Sequence, residues 1–448
     1  MAECMQDFHD GKGTIPKLGS REGRRKSMKL KRIGQGLLAS AASVAIALGT
    51  TSCNPSHTID YVYVTSNTSS SGNSGQVVAY HVDSQSGVLT EVTGSPYSSD
   101  GANPVAEVAA PNQQHLYVAN HDSNNIAVLA VNTDGSLANF KTYTTPGLEP
   151  VAMAMNQAGT LLFVVDYYQA GYSDANPGPG ELLTYPINAD GSLGSPIVNG
   201  GMAYMPLQCF PADVAVSPND NYVYVTNTNS VVVTTSAPTT AALPKTPAGC
   251  PVQGTISGYS IAANGALTPI AGSPFSAGTT PTGMAIDPTS RFLYATDSIQ
   301  NELIAYDIQT GGVLYPLNNG PFATGTFPVD VVVDPRDQYI YVTNYNSADI
   351  SQYTLSLATG TPSAAATPTH PSGAPGPTCI AIDPALGRFV YTSDYLGSYL
   401  GGALLNPNTG LLSETQLQPY PINGKPTCVA VIPHGNHATE YVSPVAGQ

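Results

Sequence analysis

Tryptophan is absent from the 448 residues, which excludes propellers built on a recurring tryptophan, the WD type among them. Charge is sparse, with Asp, Glu, Lys and Arg together making up 10% of the chain. Positive charge is scarcest of all. Nine of the 15 Lys and Arg lie in residues 1–32, beside four of the 30 acidic residues. Beyond Cys53, six basic residues face 26 acidic ones. A body this acidic repels nucleic acid and anionic lipid. It is also poorly equipped to hold a phosphate, which needs Arg or Lys. There is no nucleophile elbow, P-loop, dinucleotide fingerprint or paired-His metal motif, so no cofactor is implied. The loop Asp174-Ala175-Asn176-Pro177-Gly178 is faintly calcium-like but lacks the later Glu.

Gly (44), Pro (38) and Tyr (26) are plentiful, and good helix formers are sparse. That balance suits many short strands joined by turns. Residues 211–227, PADVAVSPNDNYVYVTN, show the pattern. An apolar strand is followed by a turn with Pro218 at its second position, then by the β-branched and aromatic strand from Tyr222 to Thr226. The phrase recurs. Its anchoring prolines are Pro104, Pro150, Pro211, Pro281, Pro328, Pro377 and Pro426, at intervals of 46, 61, 70, 47, 49 and 49 residues. A period of roughly 47 residues matches propeller blades of about four strands. The two long intervals carry insertions around residues 169–180 and 231–254.

Four residues after each anchor the side chain is always small: Val108, Ala154, Ala215, Ala285, Val332, Ala381 and Ala430. Its neighbour on the other face is large and apolar in six repeats (Met153, Val214, Met284, Val331, Ile380, Val429) and is Glu107 in the seventh. Blades crowd toward an axis, so a small residue on the innermost strand is expected. The body begins at a second strand, Tyr61, and ends after an orphan first strand, residues 427–431. Joined, they complete a seventh blade and remove the open edge. The expected fold is all-β: a seven-bladed β-propeller of four-stranded antiparallel blades, its ring closed by the N- and C-terminal strands.

The leader predicts export. Met28-Lys29-Leu30-Lys31-Arg32 is a basic region, and residues 36–49 are apolar but short for a membrane span. Small residues then lead to Cys53. This resembles a bacterial lipoprotein signal with Cys53 as the lipidated residue, although Thr50 stands where leucine is usual. Plain secretory cleavage and a retained anchor are the alternatives. Residues 1–27 read as a long basic leader or an overextended start, with Met28 as the true start. The expected organisation is an export signal over 1–53, a linker over 54–60, the propeller over 61–435 and a tail over 436–448. The expected location is periplasmic or cell-surface, with membrane contact only through a lipid anchor.

The strings Tyr224-Val225-Thr226-Asn227 and Tyr341-Val342-Thr343-Asn344 are the repeat signature of YVTN-type propellers. The body resembles the seven-bladed lactonase family, which includes 6-phosphogluconolactonase-like proteins and a muconate cycloisomerase. The resemblance implies lactone hydrolysis. Such enzymes typically carry His and Arg just after the blade anchors, where this chain has Val, Ala, Thr, Asp, Gly and Cys. The body's arginines, Arg291, Arg336 and Arg388, belong to turns on the opposite face.

The face where first strands begin and second strands end is the place for a site. One ring of positions there, two after each anchor, is Ala106, Ala152, Asp213, Gly283, Asp330, Cys379 and Cys428. A second ring closes strand two: Ser66, Asn120, Asp166, Asn227, Asp297, Asn344 and Asp394. His121, Tyr167, Tyr345 and Tyr395 follow it. Asp213, Asp330 and His121 are the acid–base candidates. Asn120, Asp166, Tyr167, Asp297, Tyr345, Asp394 and Tyr395 are candidate ligand contacts, with turn capping and packing as their alternatives. Cys209 and Cys250 bracket the largest insertion. Cys379 and Cys428 are equivalent residues on neighbouring blades. Four cysteines allow three pairings, and these two are favoured in an oxidising compartment. The expected function is an exported, monomeric binding or scaffold protein for a small neutral or cationic ligand, or for a cell-envelope protein or glycan. The alternative is a lactone hydrolase similar to the 6-phosphogluconolactonases, with an unphosphorylated lactone as the favoured substrate.

Overall fold

Each repeat folds as an antiparallel sheet whose first strand lies nearest the axis. In the third blade, Pro211–Val216 pairs with Tyr222–Asn227, which pairs with Thr255–Ile261, then Leu267–Pro269; Phe275–Ser276 also pairs with the third strand. The computed structural model describes residues 57–68, 75–228, 250–434 and 444. The leader with Cys53 and the tail beyond residue 434, Pro444 aside, lie outside the described residues. Seven such sheets form the ring. We number the blades by their anchors: blade 1 from Pro104, 2 from Pro150, 3 from Pro211, 4 from Pro281, 5 from Pro328, 6 from Pro377 and 7 from Pro426.

Blade 7 is assembled from both ends of the body. Lys425–Pro433 pairs antiparallel with Thr58–Asn67, matching Val62 to Val431 and Val64 to Val429. The ring therefore closes by hydrogen bonds. The first-to-second-strand register slips just after the anchors, as between Pro211 and Asp213 and between Pro328 and Asp330. Proline has no N–H to give to the ladder, and such an irregularity re-aims nearby side chains.

The tyrosine of the second strand locks one blade to the next. Tyr63, Tyr117, Tyr224, Tyr294, Tyr341 and Tyr391 are fully buried. Their hydroxyls donate to the carbonyls of Gly135, Gly191, Gly312, Gly360, Gly410 and Gly87, at 2.6–3.1 Å. Each of these glycines sits in the outer turn of the following blade with positive φ. A side chain there would strike an aromatic ring of the preceding blade, Tyr222 in the case of Gly312. Glycine is thus required by both conformation and space. Blade 2 has Phe163 in this position and lacks the hydroxyl. The core follows the same logic. Seven apolar clusters lie between successive blades, such as that of Tyr224, Leu293 and Tyr306 between blades 3 and 4.

Candidate functional site

The strand geometry opens a cavity of about 560 Å³ around the axis on the face where first strands begin. All seven members of the first ring line it: Ala106, Ala152, Asp213, Gly283, Asp330, Cys379 and Cys428. So do His121, Tyr167, Tyr345 and Tyr395. The second ring does not. Ser66, Asn120, Asp166, Asn227, Asp297, Asn344 and Asp394 are all fully buried and lie outside the lining. Asn120 donates to Ser99 O and Asn125 Oδ1, each at 2.8 Å. Asp297 accepts the Thr279 amide at 2.6 Å, Asp166 that of Gly147 at 3.0 Å and Asp394 that of Ala374 at 2.9 Å. These side chains hold the loops that carry the lining.

Asp213 and Asp330 are the chemical centre of the first ring. Each spans two blades. Asp213 Oδ1 accepts the Val214 amide at 2.8 Å, and its Oδ2 accepts the Met284 amide of blade 4 at 2.7 Å. Asp330 does the same with Val331 at 2.8 Å and with Ile380 of blade 6 at 3.0 Å. Burial pushes Asp213 up to about 7, with the Asp330 charge adding to it and the two amides opposing. Burial likewise raises Asp330 to about 6 against its own pair of amides. Between them stands Gly283, where a Cβ would lie 2.5 Å from Asp330 Cα and from Val329 O. No side chain can separate the two acids there.

His121 sits at the rim. Its Nδ1 lies 2.6 Å from Asp122 Oδ1 and its Nε2 3.7 Å from Glu149 Oε2. Two carboxylates thus flank one imidazole, an arrangement that orients the ring. The aromatic wall is packed in pairs: Tyr167 with Phe210 at 5.4 Å between ring centres, and Phe327 with Tyr345 at 6.2 Å. Lys425 Nζ lies 5.8 Å from the Tyr395 ring centre and donates to Leu396 O at 3.0 Å, outside the lining.

A further row of lining residues immediately precedes the anchors: Asn103, Glu149, Phe210 and Phe327. All four have positive φ, 54°, 60°, 53° and 60°. That conformation is costly for Glu and Phe and is concentrated at ligand sites. Alignment forward from the prolines passes over this row. The Phe-Pro pairs at 210–211 and 327–328 are its one visible trace in the sequence. Asp174 also reaches the lining, where it accepts the Tyr168 hydroxyl at 3.1 Å.

Among the described residues the lining contains five carboxyl groups, one histidine and neither Lys nor Arg. Arg336 is on the other face, donating from Nη1 to Asp334 at 2.8 Å and from Nη2 to Leu386 O at 2.7 Å. No group of three His, Cys, Asp or Glu among the described residues is placed to hold a metal ion. The structure bonds Cys209 to Cys250 and Cys379 to Cys428, with Cα atoms 5.6 and 4.9 Å apart. The second bridge forms part of the cavity wall.

No curated protein matches the sequence. Among solved structures, a Bacteroides fragilis protein provisionally named a 6-phosphogluconolactonase is similar at 17% identity and a TM-score of 0.64, over 84% of this chain and 98% of its own. The Pseudomonas aeruginosa periplasmic gluconolactonase is similar at 18% and 0.63, over 83% and 99%. A Lactobacillus plantarum protein is similar at 15% and 0.64, over 84% and 99%. These likenesses establish the propeller. The sequence model described as "Lactonase, 7-bladed beta-propeller" matches residues 57–200 and 246–394, well over half of the chain. The chain therefore belongs to the seven-bladed β-propeller lactonase family.

Proposed function

We propose that this propeller is exported and binds a small, unphosphorylated ligand in the axial cavity. The observation that carries the reading is the lining itself, which holds five carboxyl groups and neither Lys nor Arg among the described residues. A phosphorylated sugar lactone brings two negative charges into such a space with no partner for them, and repulsion and desolvation both oppose its binding. The volume suits a small molecule, and apolar rings with a few fixed polar groups are the usual make-up of such sites. Cys53 as a lipidated residue would place the cavity at the periplasmic or cell surface.

A second reading, hydrolysis of an unphosphorylated lactone, is favoured by Asp213 and Asp330. Their pKa values near 7 and 6 suit a general base and its partner acid at neutral pH. The name of the Pseudomonas protein, a gluconolactonase, is in keeping with such a substrate. Water would be deprotonated by one carboxylate as it attacks the lactone carbonyl, and the other group would protonate the leaving ring oxygen.

The test is a panel of sugar lactones, with and without phosphate, assayed for binding and for ring opening. Binding of unphosphorylated members without turnover supports the first reading. Turnover that falls at least tenfold in Asp330→Asn establishes the second. Preferential binding of the phosphorylated members overturns both.

A further inference from the structure

The apolar and polar parts of the lining stand on different sides of the axis. One and two residues after the anchors of blades 1 and 2 come Val105, Ala106, Val151 and Ala152, and all four line the cavity. Val105, Ala106 and Val151 keep accessible surface there, while Ala152 is almost covered. Ala212 of blade 3 continues the same wall. One residue further in, Glu107 is buried between blades with both carboxylate oxygens closed off, so it adds no charge to this wall that a ligand could reach. In blades 4, 6 and 7 the residue after the anchor is Thr282, Thr378 or Thr427. Their hydroxyls reach carbonyls of the following blade, Pro328 O at 3.2 Å, Thr427 O at 3.0 Å and Pro104 O at 2.7 Å. These hydroxyls serve the seams between blades.

The charged side chains at this level are Asp213 and Asp330, on blades 3 and 5. Both keep part of their surface in the cavity, and Gly283 leaves a notch open between them. Each already accepts two amides, and burial holds each near neutrality. At neutral pH a fraction of each acid is therefore protonated and can donate to a carbonyl oxygen. The wall of blades 1 and 2 asks for something else. An alkyl or aryl group laid on it gains in proportion to the apolar area it covers. A polyol is a poor match, because each hydroxyl turned toward Val105 or Val151 gives up water and finds no partner.

We propose that the cavity takes a small lactone or ester bearing an alkyl or aryl group, with that group against Val105, Ala106, Val151 and Ala152 and the carbonyl in the notch between Asp213 and Asp330. This rests on the cavity being the ligand site and names the class of ligand it takes, whether the ligand is only bound or is also opened. It departs from the sugar lactone, whose ring carries hydroxyls on most of its carbons.

The test is calorimetric titration of the whole propeller with γ-valerolactone, γ-hexalactone, γ-octalactone, dihydrocoumarin and glucono-δ-lactone, with ring opening followed in parallel. Affinity is expected to rise about fourfold for each methylene added along the γ-lactone series. Dihydrocoumarin should bind about tenfold or more tightly than glucono-δ-lactone. Ala106→Asp gives blade 1 the residue that blades 3 and 5 already hold at this position. It should fold and cost γ-octalactone about tenfold in affinity, while γ-valerolactone changes little. The chain-length series in the unaltered protein decides the matter without any variant. Binding that is flat with chain length, or tightest for glucono-δ-lactone, overturns the apolar-group proposal and leaves the cavity reading standing. An unchanged chain-length dependence in folded Ala106→Asp also overturns it, by placing the alkyl group elsewhere. Absence of binding by every probe to the folded protein overturns both.

Discussion

Asp213 serves two demands that pull in different directions. As a tie between blades 3 and 4 it must remain an acceptor of two amides, Val214 and Met284. In the hydrolytic reading proposed above it would also have to exchange a proton near neutral pH, where burial places its pKa. An asparagine side chain in its place would offer only one carbonyl oxygen, so Asp213→Asn should leave one buried amide unpaired and cost about 1–3 kcal/mol in chemical denaturation. Asp330→Asn tests the coupling. The Asp330 charge raises the Asp213 pKa, so its removal should lower Asp213 below about 7, visible in the carboxyl-carbon resonance as a function of pH. An unmoved Asp213 would mean that the two acids do not sense each other. Both aspartates were legible in the sequence as charged members of an otherwise uncharged ring. Their amide partners were not, because Met284 and Ile380 lie 71 and 50 residues away and become neighbours only when the ring closes. Glu149 was invisible for another reason. It precedes its anchor and lines the cavity only because its backbone turns to φ 60°.

At the level of the strand, the Tyr-Val-Thr-Asn phrase carries more than strand propensity. Alternation and turn chemistry were enough to read seven first strands, seven second strands and the closing pair at the termini. The duty of the tyrosine hydroxyl could not be read this way, since the carbonyl it reaches lies in the next blade, 72 residues on for Tyr63 and 88 for Tyr224. Tyr224→Phe should cost about 0.5–1.5 kcal/mol, the usual net contribution of one such bond. Blade 2 offers the converse. Phe163 occupies the tyrosine position and is fully buried, and Gly265 stands in the corresponding turn of blade 3 with φ 82°. Phe163→Tyr should therefore add the missing bond between these two blades and raise the denaturation midpoint by a comparable amount. A lower midpoint would show that the pocket around Phe163 has closed over the space for a hydroxyl.

Across the whole molecule the buried acids act together. Burial raises Asp60 to about 9, Asp394 to about 8, Asp213 to about 7 and Asp330 to about 6, and it lifts Glu107 and Asp166 well above the carboxylate range. In the unfolded chain these groups titrate near 4. Between roughly pH 4 and 9 the folded protein therefore holds more protons than the unfolded one. The stabilisation associated with each such group is complete below its unfolded pKa and is lost as pH rises through its folded value. The surface aspartates Asp134 and Asp190 behave in the opposite sense. Hydrogen bonds from Ser136 and Ser192 lower their pKa, so their contribution is lost only in stronger acid. The melting temperature should accordingly be higher at pH 5 than at pH 8. The excess of surface carboxylates repels itself in the same direction, so the two causes must be separated. High salt screens exposed charges over a few ångströms and leaves buried ones largely unaffected. The pH dependence that survives in high salt belongs to the interior. Asp60→Asn should remove part of that remainder, with a gain on the order of a few kcal/mol at pH 8 and little at pH 4, because Asp60 is fully buried, has no hydrogen-bond partner and feels the charge of Asp383. A melting temperature that is flat with pH in high salt would mean that these acids are solvated or paired in solution. The cavity acids could not then be held near neutrality by the fold.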